Sequence, residues 1–284
     1  MSAPADPHGR RAPTPDPAPV RLVCLDVDGT LVGASGAVHP AVWDAVARAR
    51  AAGLRLAVCS GRPGFGVTRA LAERVDADGW HGFQNGASVL HLATGASRSD
   101  GLPAATVAML VDRARAAGRA VELYADADYV VERDGERERR RAGLLGLPYA
   151  PRPFDALAGA PVRAQWLLGH DETPAVLAEP HPGLEVTPSL APTMPDSVFV
   201  NLTRAGVDKG TAVRAIAAAY DVPLAAVMFV GDGLNDAPAM RLVGWPVAMA
   251  DAEPAPRALA RHVVADADAG GAAAALTLAL DGAR

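Results

Sequence analysis

The sequence predicts an α/β fold with a doubly wound parallel sheet, interrupted by an inserted α+β domain. At both ends of the chain, short apolar runs alternate with amphipathic stretches of helix length. This alternation is typical of parallel strands joined by helical crossovers. Between about residues 86 and 205 the pattern changes to hairpins and a helix. We therefore expect one core built from both chain ends and a second domain inserted into it.

The first part of the core follows a proline-rich leader. Residues 1–19 lack the apolar run of a secretory signal, and we predict a disordered leader there. The run VRLVCLDV that follows has the length of a buried strand, and a helix is expected over about residues 39–53. A second strand is predicted over residues 54–59 and a helix over about residues 63–75.

The rest of the chain completes the core and fills the insertion. In the core we predict a helix over residues 211–220 and a strand over residues 226–230. A short helix over residues 237–243 and a strand over residues 245–250 follow. In the insertion we predict a helix over residues 102–118 and a hairpin over residues 121–134. Two further strands are predicted over residues 161–170 and 197–204. The predicted domains are thus a core of residues 20–88 and 203–284 and an insertion of residues 89–202.

Composition excludes several classes of function. A net charge of −5 and the lack of a basic stripe argue against a nucleic-acid partner. No window approaches the ~20 apolar residues of a membrane span, so no membrane partner is expected. Cys24 and Cys59 lie in apolar runs and are predicted to be reduced core thiols, which favours a cytoplasmic location. The charged strip at residues 132–141 mixes both signs and predicts a solvated helix face rather than an anion-binding patch.

Two carboxylates follow the first strand in the string DVDGT. Asp26 and Asp28 are two residues apart in extended chain, so their side chains point to the same side before Gly29 turns the chain. Like charges at this distance repel each other unless a cation or a shared proton intervenes. The pair therefore favours a bound divalent metal, and the competing interpretation is a plain Asp-Gly turn.

Two shorter motifs offer groups for a phosphate. Ser60, Gly61 and Arg62 lie between a strand and a helix, where a hydroxyl and free amides suit a phosphate oxygen, although the same pattern is ordinary N-capping. Lys209 opens a later helix and is the only lysine of the chain. A compact ammonium serves phosphate as a point charge, whereas the alternative is an ordinary surface lysine.

The string GDGLND after the strand AAVMFV is the strongest single motif. Asp232 and Asp236 flank small residues that let the backbone approach a ligand closely. A dinucleotide-binding loop is excluded, because Asp236 occupies the place of its third glycine. With no cysteine and histidine group at ligand spacing, the oxygen donors Asp26, Asp28, Asp232 and Asp236 favour Mg²⁺ over zinc.

In their order, the strings DVDGT, SGRP, DKG and GDGLNDAPAM resemble the haloacid dehalogenase superfamily, and most of all its Cof-type branch with a type IIB cap. The resemblance covers nearly all of residues 21–265. It implies a Rossmann-like core that holds the active site and a mobile cap inserted between the second and third motifs. The step Gln84-Asn85-Gly86 is similar to the one that precedes such a cap. We therefore expect a Mg²⁺-dependent phosphatase acting on a small phosphorylated metabolite, such as a sugar phosphate.

The resemblance also implies a role for each site residue. Asp26 would attack phosphorus and form an aspartyl phosphate, and Asp28 would act as acid and then as base. Ser60, Gly61, Arg62, Lys209 and Asn235 would bind the substrate and its phosphoryl oxygens. The Asp26 carboxylate, the Asp28 backbone carbonyl and Asp232 would hold the metal, with Asn235 and Asp236 in support.

Two other functions stay open at this point. A sugar phosphomutase of the same superfamily starts from the same aspartyl phosphate. A non-catalytic metabolite-binding protein could keep the fold without the reaction. The sequence leaves the substrate and the oligomeric state open.

Overall fold

The computed structural model describes residues 17–190 and 194–283. The first part of the chain forms β1 (Leu22–Leu25), α1 (Ala41–Ala51), β2 (Arg55–Val58), α2 (Val67–Asp76), β3 (Trp80–Phe83) and β4 (Ser88–His91). The middle part forms α3 (Ala104–Ala117), β5 (Ala120–Tyr124), β6 (Tyr129–Val131), α4 (Glu136–Leu145), β7 (Arg163–Leu168), α5 (Thr173–Leu177), β8 (Leu184–Ser189) and β9 (Val198–Arg204). The last part forms α6 (Lys209–Ala219), β10 (Val227–Gly231), α7 (Ala237–Met240), β11 (Trp245–Met249), α8 (Pro254–Leu259), β12 (His262–Val264) and α9 (Gly271–Gly282).

A parallel sheet in the order β12-β11-β10-β1-β2 takes its strands from both ends of the chain. In β1, Leu22 lies opposite Val227 of β10 on one side and opposite Arg55 of β2 on the other. Every residue of β1 and β10 is buried, so both faces of the sheet are covered at its centre. The predicted parallel α/β core is therefore confirmed.

The helices next to β2 follow the sequence prediction with one exception. Helix α1 is present as predicted, and its buried face is formed by Val42, Ala45, Val46 and Ala49. Helix α2 begins at Val67 and not near residue 63, so the predicted start was wrong. The reason is Gly66, whose φ of 63° lies outside the right-handed helical region and interrupts the helix before Val67.

The sequence prediction missed a hairpin of β3 and β4 beside the parallel sheet. Within it, buried His81 accepts a hydrogen bond from the Val58 amide at Nδ1 (3.0 Å) and donates one from Nε2 to the Asp76 carbonyl (2.8 Å). Burial lowers the pKa of His81 to about 4. The imidazole is therefore a neutral structural group that joins β3 to β2.

A second sheet in the middle of the chain is antiparallel, in the order β6-β5-β7-β9-β8. One of its faces packs against α3, where Leu110 and Val111 contact a core that includes Val121 and Trp166. The helix, hairpin and strands predicted for the insertion are all present, so the α+β character of this part is confirmed.

Helix α4 contains residues 136–141 of the charged strip and packs against the other face of the antiparallel sheet. Glu138 and Arg141 are only 2% and 8% exposed, and the Arg141 guanidinium lies 4.4 Å from the ring centre of Phe199. The predicted solvated helix face is therefore present at the exposed residues Glu136, Arg139 and Arg140, but the prediction was wrong for Glu138 and Arg141. Residues three apart lie on one side of a helix, so this side turns inward although the strip is charged throughout.

The turn after β5 is bonded to the segment around β4. The Asp126 carboxylate accepts hydrogen bonds from the hydroxyls of Ser88 (2.6 Å), Ser97 (2.7 Å) and Ser99 (2.7 Å). The Gln84 side-chain amide donates to the Ala125 carbonyl (2.9 Å). These bonds attach the antiparallel sheet to the core hairpin.

The segment before β1 and the two cysteines pack in the core of the parallel sheet. Most of the predicted leader, residues 1–16, lies outside the described residues, whereas the Ala18 amide donates a hydrogen bond to the Ala225 carbonyl of the core (3.0 Å). Cys24 and Cys59 are free and buried, as predicted. Among the described residues, no helix has the length and apolar character needed to cross a membrane.

Candidate active site

Asp26 follows directly after β1 at the carboxyl edge of the parallel sheet, where ligands of such folds bind. Its amide donates to the Val230 carbonyl (3.0 Å), which fixes the backbone between β1 and β10. The side chain is 4% exposed. Burial and then the charge of Asp236 raise the pKa of Asp26 well above its usual value, although Lys209 lowers it.

Lys209 is the first residue of α6, which begins with a capping box formed by Asp208 and Thr211. The cap fixes the start of the helix and directs the lysine side chain into the site. Its Nζ donates to Asp26 Oδ1 and to Asp236 Oδ1, both at 2.6 Å. Burial lowers the pKa of Lys209, but the carboxylates of Asp236 and Asp26 outweigh this effect and raise it. Lys209 is therefore a buried cation shared by two acids.

Asp236 and Asp232 lie on the loop after β10. Asp236 Oδ2 accepts hydrogen bonds from the amides of Asp232 and Gly233, both at 2.9 Å. Thr30 donates its hydroxyl to Asp232 Oδ1 (3.1 Å). Asp236 thus shapes the loop from within, and Thr30 orients the carboxylate of Asp232.

Three of the four predicted metal-binding acids form one compact group. Asp26, Asp232 and Asp236 each offer an oxygen within 4.8 Å of the others. Burial and then the charge of Asp236 raise the pKa of Asp232 to about 7. Lys209 lowers this pKa only in part, because its single positive charge is shared among three carboxylates. Carboxylate oxygens are the donors that Mg²⁺ prefers, so the donor set fits this ion.

The fourth acid, Asp28, lies outside this group. Its side chain is 56% exposed and forms a two-pronged ion pair with Arg62, in which Nε lies 2.9 Å from Oδ2 and Nη2 contacts Oδ1. Gly29 follows with a φ of 82°, and a Cβ at this position would lie 2.2 Å from an oxygen of Asp232. The glycine therefore lets the backbone next to Asp28 lie against Asp232.

The loop after β2 contains the predicted phosphate-binding residues. Ser60 is buried, and its hydroxyl accepts a hydrogen bond from the Arg62 amide (3.1 Å). The Gly61 carbonyl accepts a hydrogen bond from Arg163 Nη1 of β7 (2.9 Å). This loop thus contacts both the acid Asp28 and the antiparallel sheet.

Asn235 contacts the other side of the same loop through Asn85. Its side-chain amide donates to Asn85 Oδ1 (3.0 Å). Asn85 and the preceding Gln84 both have φ values of 55°, a left-handed conformation that is uncommon for residues other than glycine. Such backbone strain persists only where the surroundings enforce it, and it is common at functional sites.

Sequence reasoning assigned no role to three residues at this site. Thr30 belongs to the DVDGT string and Asn85 to the step before the insertion, so both lie in motifs from which a role could have been predicted. Arg163 stands in an apolar strand with no motif around it. Only the three-dimensional contact with Gly61 shows that it belongs here.

Sequence comparison shows which family the chain matches and which known phosphatases it is similar to. The model of the haloacid dehalogenase-like hydrolase family matches residues 23–276. Pyridoxal phosphate phosphatase of Escherichia coli (strain K12) is 27% identical over 263 residues, which are 87% of this chain and 93% of that enzyme. A phosphoglycolate phosphatase of Methanothrix thermoacetophila is 31% identical over 64 residues. This matched segment is 22% of the present chain and 29% of that enzyme.

Solved structures show the same fold over almost the whole chain. A phosphatase of the haloalkanoate enzyme superfamily from Bacteroides thetaiotaomicron has a TM-score of 0.75 at 23% identity, covering 98% of this chain and 99% of that one. A subclass IIB sugar phosphatase has a TM-score of 0.76 at 20% identity, covering 91% of this chain and 98% of that one.

Proposed function

Because the chain belongs to the haloacid dehalogenase-like hydrolases, we propose that it is a Mg²⁺-dependent phosphatase of small phosphorylated metabolites, in particular sugar phosphates. The membership expected from the four motifs is confirmed by the family match. The observation that best supports the activity is the contact of buried Asp26 with Lys209, next to two further carboxylates. A nucleophile, a cation for the phosphoryl oxygens and oxygen donors for a metal meet there.

Asp26 is the proposed nucleophile. One carboxylate oxygen attacks phosphorus while the bond from phosphorus to the ester oxygen breaks, which leaves an aspartyl phosphate. Asp28 donates a proton to the departing oxygen and then takes one from the water that hydrolyses the intermediate. In the structure Asp28 is paired with Arg62, so this pair has to open before Asp28 can transfer a proton.

The phosphoryl oxygens are the proposed ligands of Ser60, Gly61, Arg62 and Lys209. Lys209 already neutralises Asp26, and it lies where charge accumulates as phosphorus is attacked. The metal is proposed to bind to the Asp26 carboxylate, the Asp28 carbonyl and Asp232. Its chemistry when bound is to offset the repulsion between the acids and the phosphate.

Asp236 and Asn235 have supporting roles in this proposal. Asp236 binds Lys209 and two loop amides, so it fixes the lysine and the loop of Asp232 at once. Asn235 fixes the same loop to Asn85. Both residues therefore act by positioning their neighbours.

The insertion is the proposed cap, with the boundaries predicted from the sequence at residues 89–202. Its contacts with the core at Gly61 and around Ser88 support this role. A cap excludes water and contacts the leaving group, so discrimination among substrates belongs to it.

The test is a phosphate-release assay with Mg²⁺ on sugar phosphates, nucleotides and cofactor phosphates. We expect release from sugar phosphates by the wild-type protein and none by an Asp26→Asn control. Absence of release from every compound would leave the non-catalytic binding protein as the better explanation. A sugar phosphomutase would instead convert sugar monophosphates only when a bisphosphorylated sugar is added.

A further inference from the structure

The face of the antiparallel sheet opposite α3 has polar side chains where an apolar core would be expected. Glu122, Gln165 and Asn201 form a row across β5, β7 and β9, and Tyr124 lies opposite Arg163 in the adjacent row. All five side chains are 4% exposed or less. Burying polar groups is costly unless each finds a partner, so this face requires an explanation.

Two guanidinium groups at this face have unused donors. Arg163 Nη1 donates to Asn201 Oδ1 (2.8 Å) and to the Gly61 carbonyl, and Arg141 Nη2 donates to Gln165 Oε1 (3.3 Å). Among the residues that the structure describes, Arg163 Nε, Arg163 Nη2 and Arg141 Nε find no acceptor. Two buried cations thus point unpaired N–H groups into the same part of the fold.

The neighbouring Glu122 carboxylate does not hydrogen-bond to them, and its Oε1 likewise has no partner among the described residues. Glu122 Oε2 accepts from the Tyr124 hydroxyl (2.6 Å) and from the Gln165 amide (2.9 Å). Both arginines contact aromatic rings, Arg163 over Tyr124 at 4.1 Å and Arg141 over Phe199. These contacts hold the guanidinium planes in place and leave their edges for another acceptor.

We infer that Arg163 and Arg141 bind a second anionic group of the substrate, a carboxylate or a further phosphate on the leaving group. The guanidinium fork matches both oxyanions with paired N–H donors, and such a group would supply the missing acceptors. The bond from Arg163 to the Gly61 carbonyl joins this site to the loop proposed to hold the transferred phosphate. The inference rests on the proposed phosphatase function and narrows its substrates to phosphate esters whose leaving group has a carboxylate or a second phosphate of its own.

The first test uses the wild-type protein and three phosphate esters. Glucose 6-phosphate has no second anion, 6-phosphogluconate adds a carboxylate and glucose 1,6-bisphosphate adds a phosphate. We expect kcat/KM for at least one of the two anionic esters to exceed that for glucose 6-phosphate by about 10-fold or more. The ester that benefits identifies the anion. Equal values for all three esters would overturn the inference.

The second test assigns the preference to the two arginines. In Arg163→Met and Arg141→Met we expect the preference to fall to within about 2-fold of unity, because the methionine keeps apolar bulk and loses the charge. The control is Arg140→Met, since Arg140 lies next to Arg141 on α4 but is exposed and paired with Asp196. It should keep the wild-type preference.

Hydrolysis of p-nitrophenyl phosphate separates this inference from the phosphatase proposal. Its leaving group has no second anion, so in Arg163→Met and Arg141→Met the loss of kcat/KM for the preferred anionic ester should exceed the loss for p-nitrophenyl phosphate by about 5-fold or more, whereas Arg140→Met should keep kcat for both esters within about 3-fold of wild type. A wild-type preference that survives both replacements would overturn the assignment to these arginines. Failure of the wild-type protein to hydrolyse any ester would instead contradict the phosphatase function itself.

Discussion

Lys209 Nζ lies 2.6 Å from Asp26 Oδ1, although 183 positions separate the two residues in the sequence. Asp26 directly follows the first strand of the parallel sheet, and Lys209 is the first residue of the helix that follows the insertion. The contact is possible because β10 lies beside β1 and brings the end of the chain back to its beginning. The site therefore depends on the pairing of β1 with β10.

Replacing the nucleophile tests the chemistry directly. We expect Asp26→Asn to fold and to lose at least ~10³ of kcat, because an amide does not attack phosphorus and covalent catalysis needs a nucleophile at this position. The measurement is release of inorganic phosphate under Mg²⁺ saturation. Asp44→Asn on the exposed side of α1 is the control. Near-normal turnover in protein shown by mass spectrometry to be free of deamidation would refute the mechanism.

Removing the lysine should affect both activity and stability. Lys209→Met leaves the Asp26 and Asp236 carboxylates buried without their cation, so the melting temperature should fall. We expect kcat/KM to fall by roughly 10² or more, because the phosphoryl oxygens lose a positive charge. Arg214→Met, an exposed change on the same helix, should leave both quantities unchanged. Unaltered kcat/KM in a folded Lys209→Met protein would contradict the role of the lysine.

The acidic group predicts a requirement for a divalent cation. Chelation with EDTA should stop hydrolysis and added Mg²⁺ should restore it, since three clustered carboxylates and a phosphate ester repel one another. Asp232→Asn should raise the Mg²⁺ concentration for half-maximal activity by about 10-fold or more. The titration of activity against Mg²⁺ provides the readout, and full activity in metal-free protein would disprove the requirement.

Buried His81 predicts a pH dependence of stability that is independent of catalysis. Burial lowers its pKa from 6.5 to about 4 in the folded protein. Between these values the unfolded chain binds the proton, so stability is complete above pH 6.5 and is lost as the pH falls. The loss at pH 5 should be about 2 kcal/mol.

Urea unfolding at pH 7 and pH 5 measures this loss. His81→Gln removes the titrating group, so the difference in free energy of unfolding between wild type and variant should shrink as the pH falls. His170→Gln, at an exposed position, should follow the wild type at both pH values. A difference between wild type and His81→Gln that stays constant would show that His81 does not titrate as stated.

The division of labour between core and insertion is testable by deletion. Replacing residues 101–201 by a short Gly/Ser linker keeps the β3–β4 hairpin and all the proposed chemical groups. Once circular dichroism and a cooperative melt show that the shortened chain folds, we expect slow Mg²⁺-dependent hydrolysis of p-nitrophenyl phosphate with little discrimination among metabolites. A folded core that keeps the full-length substrate ranking would place specificity outside the insertion.

The sequence was most informative where polar residues interrupt apolar strands. Asp26 and Asp232 could be placed at one sheet edge because each follows a buried run, and parallel strands end at the same edge. The start of α2 was misplaced because the conformation of Gly66 depends on packing. The residues of the core site could thus be predicted from local sequence patterns together with the rule that parallel strands end at the same edge of a sheet.

The burial of the face of the antiparallel sheet opposite α3 was harder to predict from the sequence. Alternation along a strand shows that Arg163 and Gln165 share a face, but not whether this face turns to solvent or to the core. The same limit applies to Arg141, whose charged neighbours suggested a solvated helix. Only the packing of α4 on the sheet decides that it is buried.

The origin of the parallel sheet from both chain ends has a consequence for synthesis on the ribosome. Strand β1 pairs with β2 early, but its other edge pairs with β10, which emerges only after the whole insertion has been translated. The antiparallel sheet is contiguous between residues 120 and 204 and has no such delay. One edge of β1 therefore lacks its partner strand during translation of the insertion, and an unpaired apolar strand edge favours aggregation of the nascent chain.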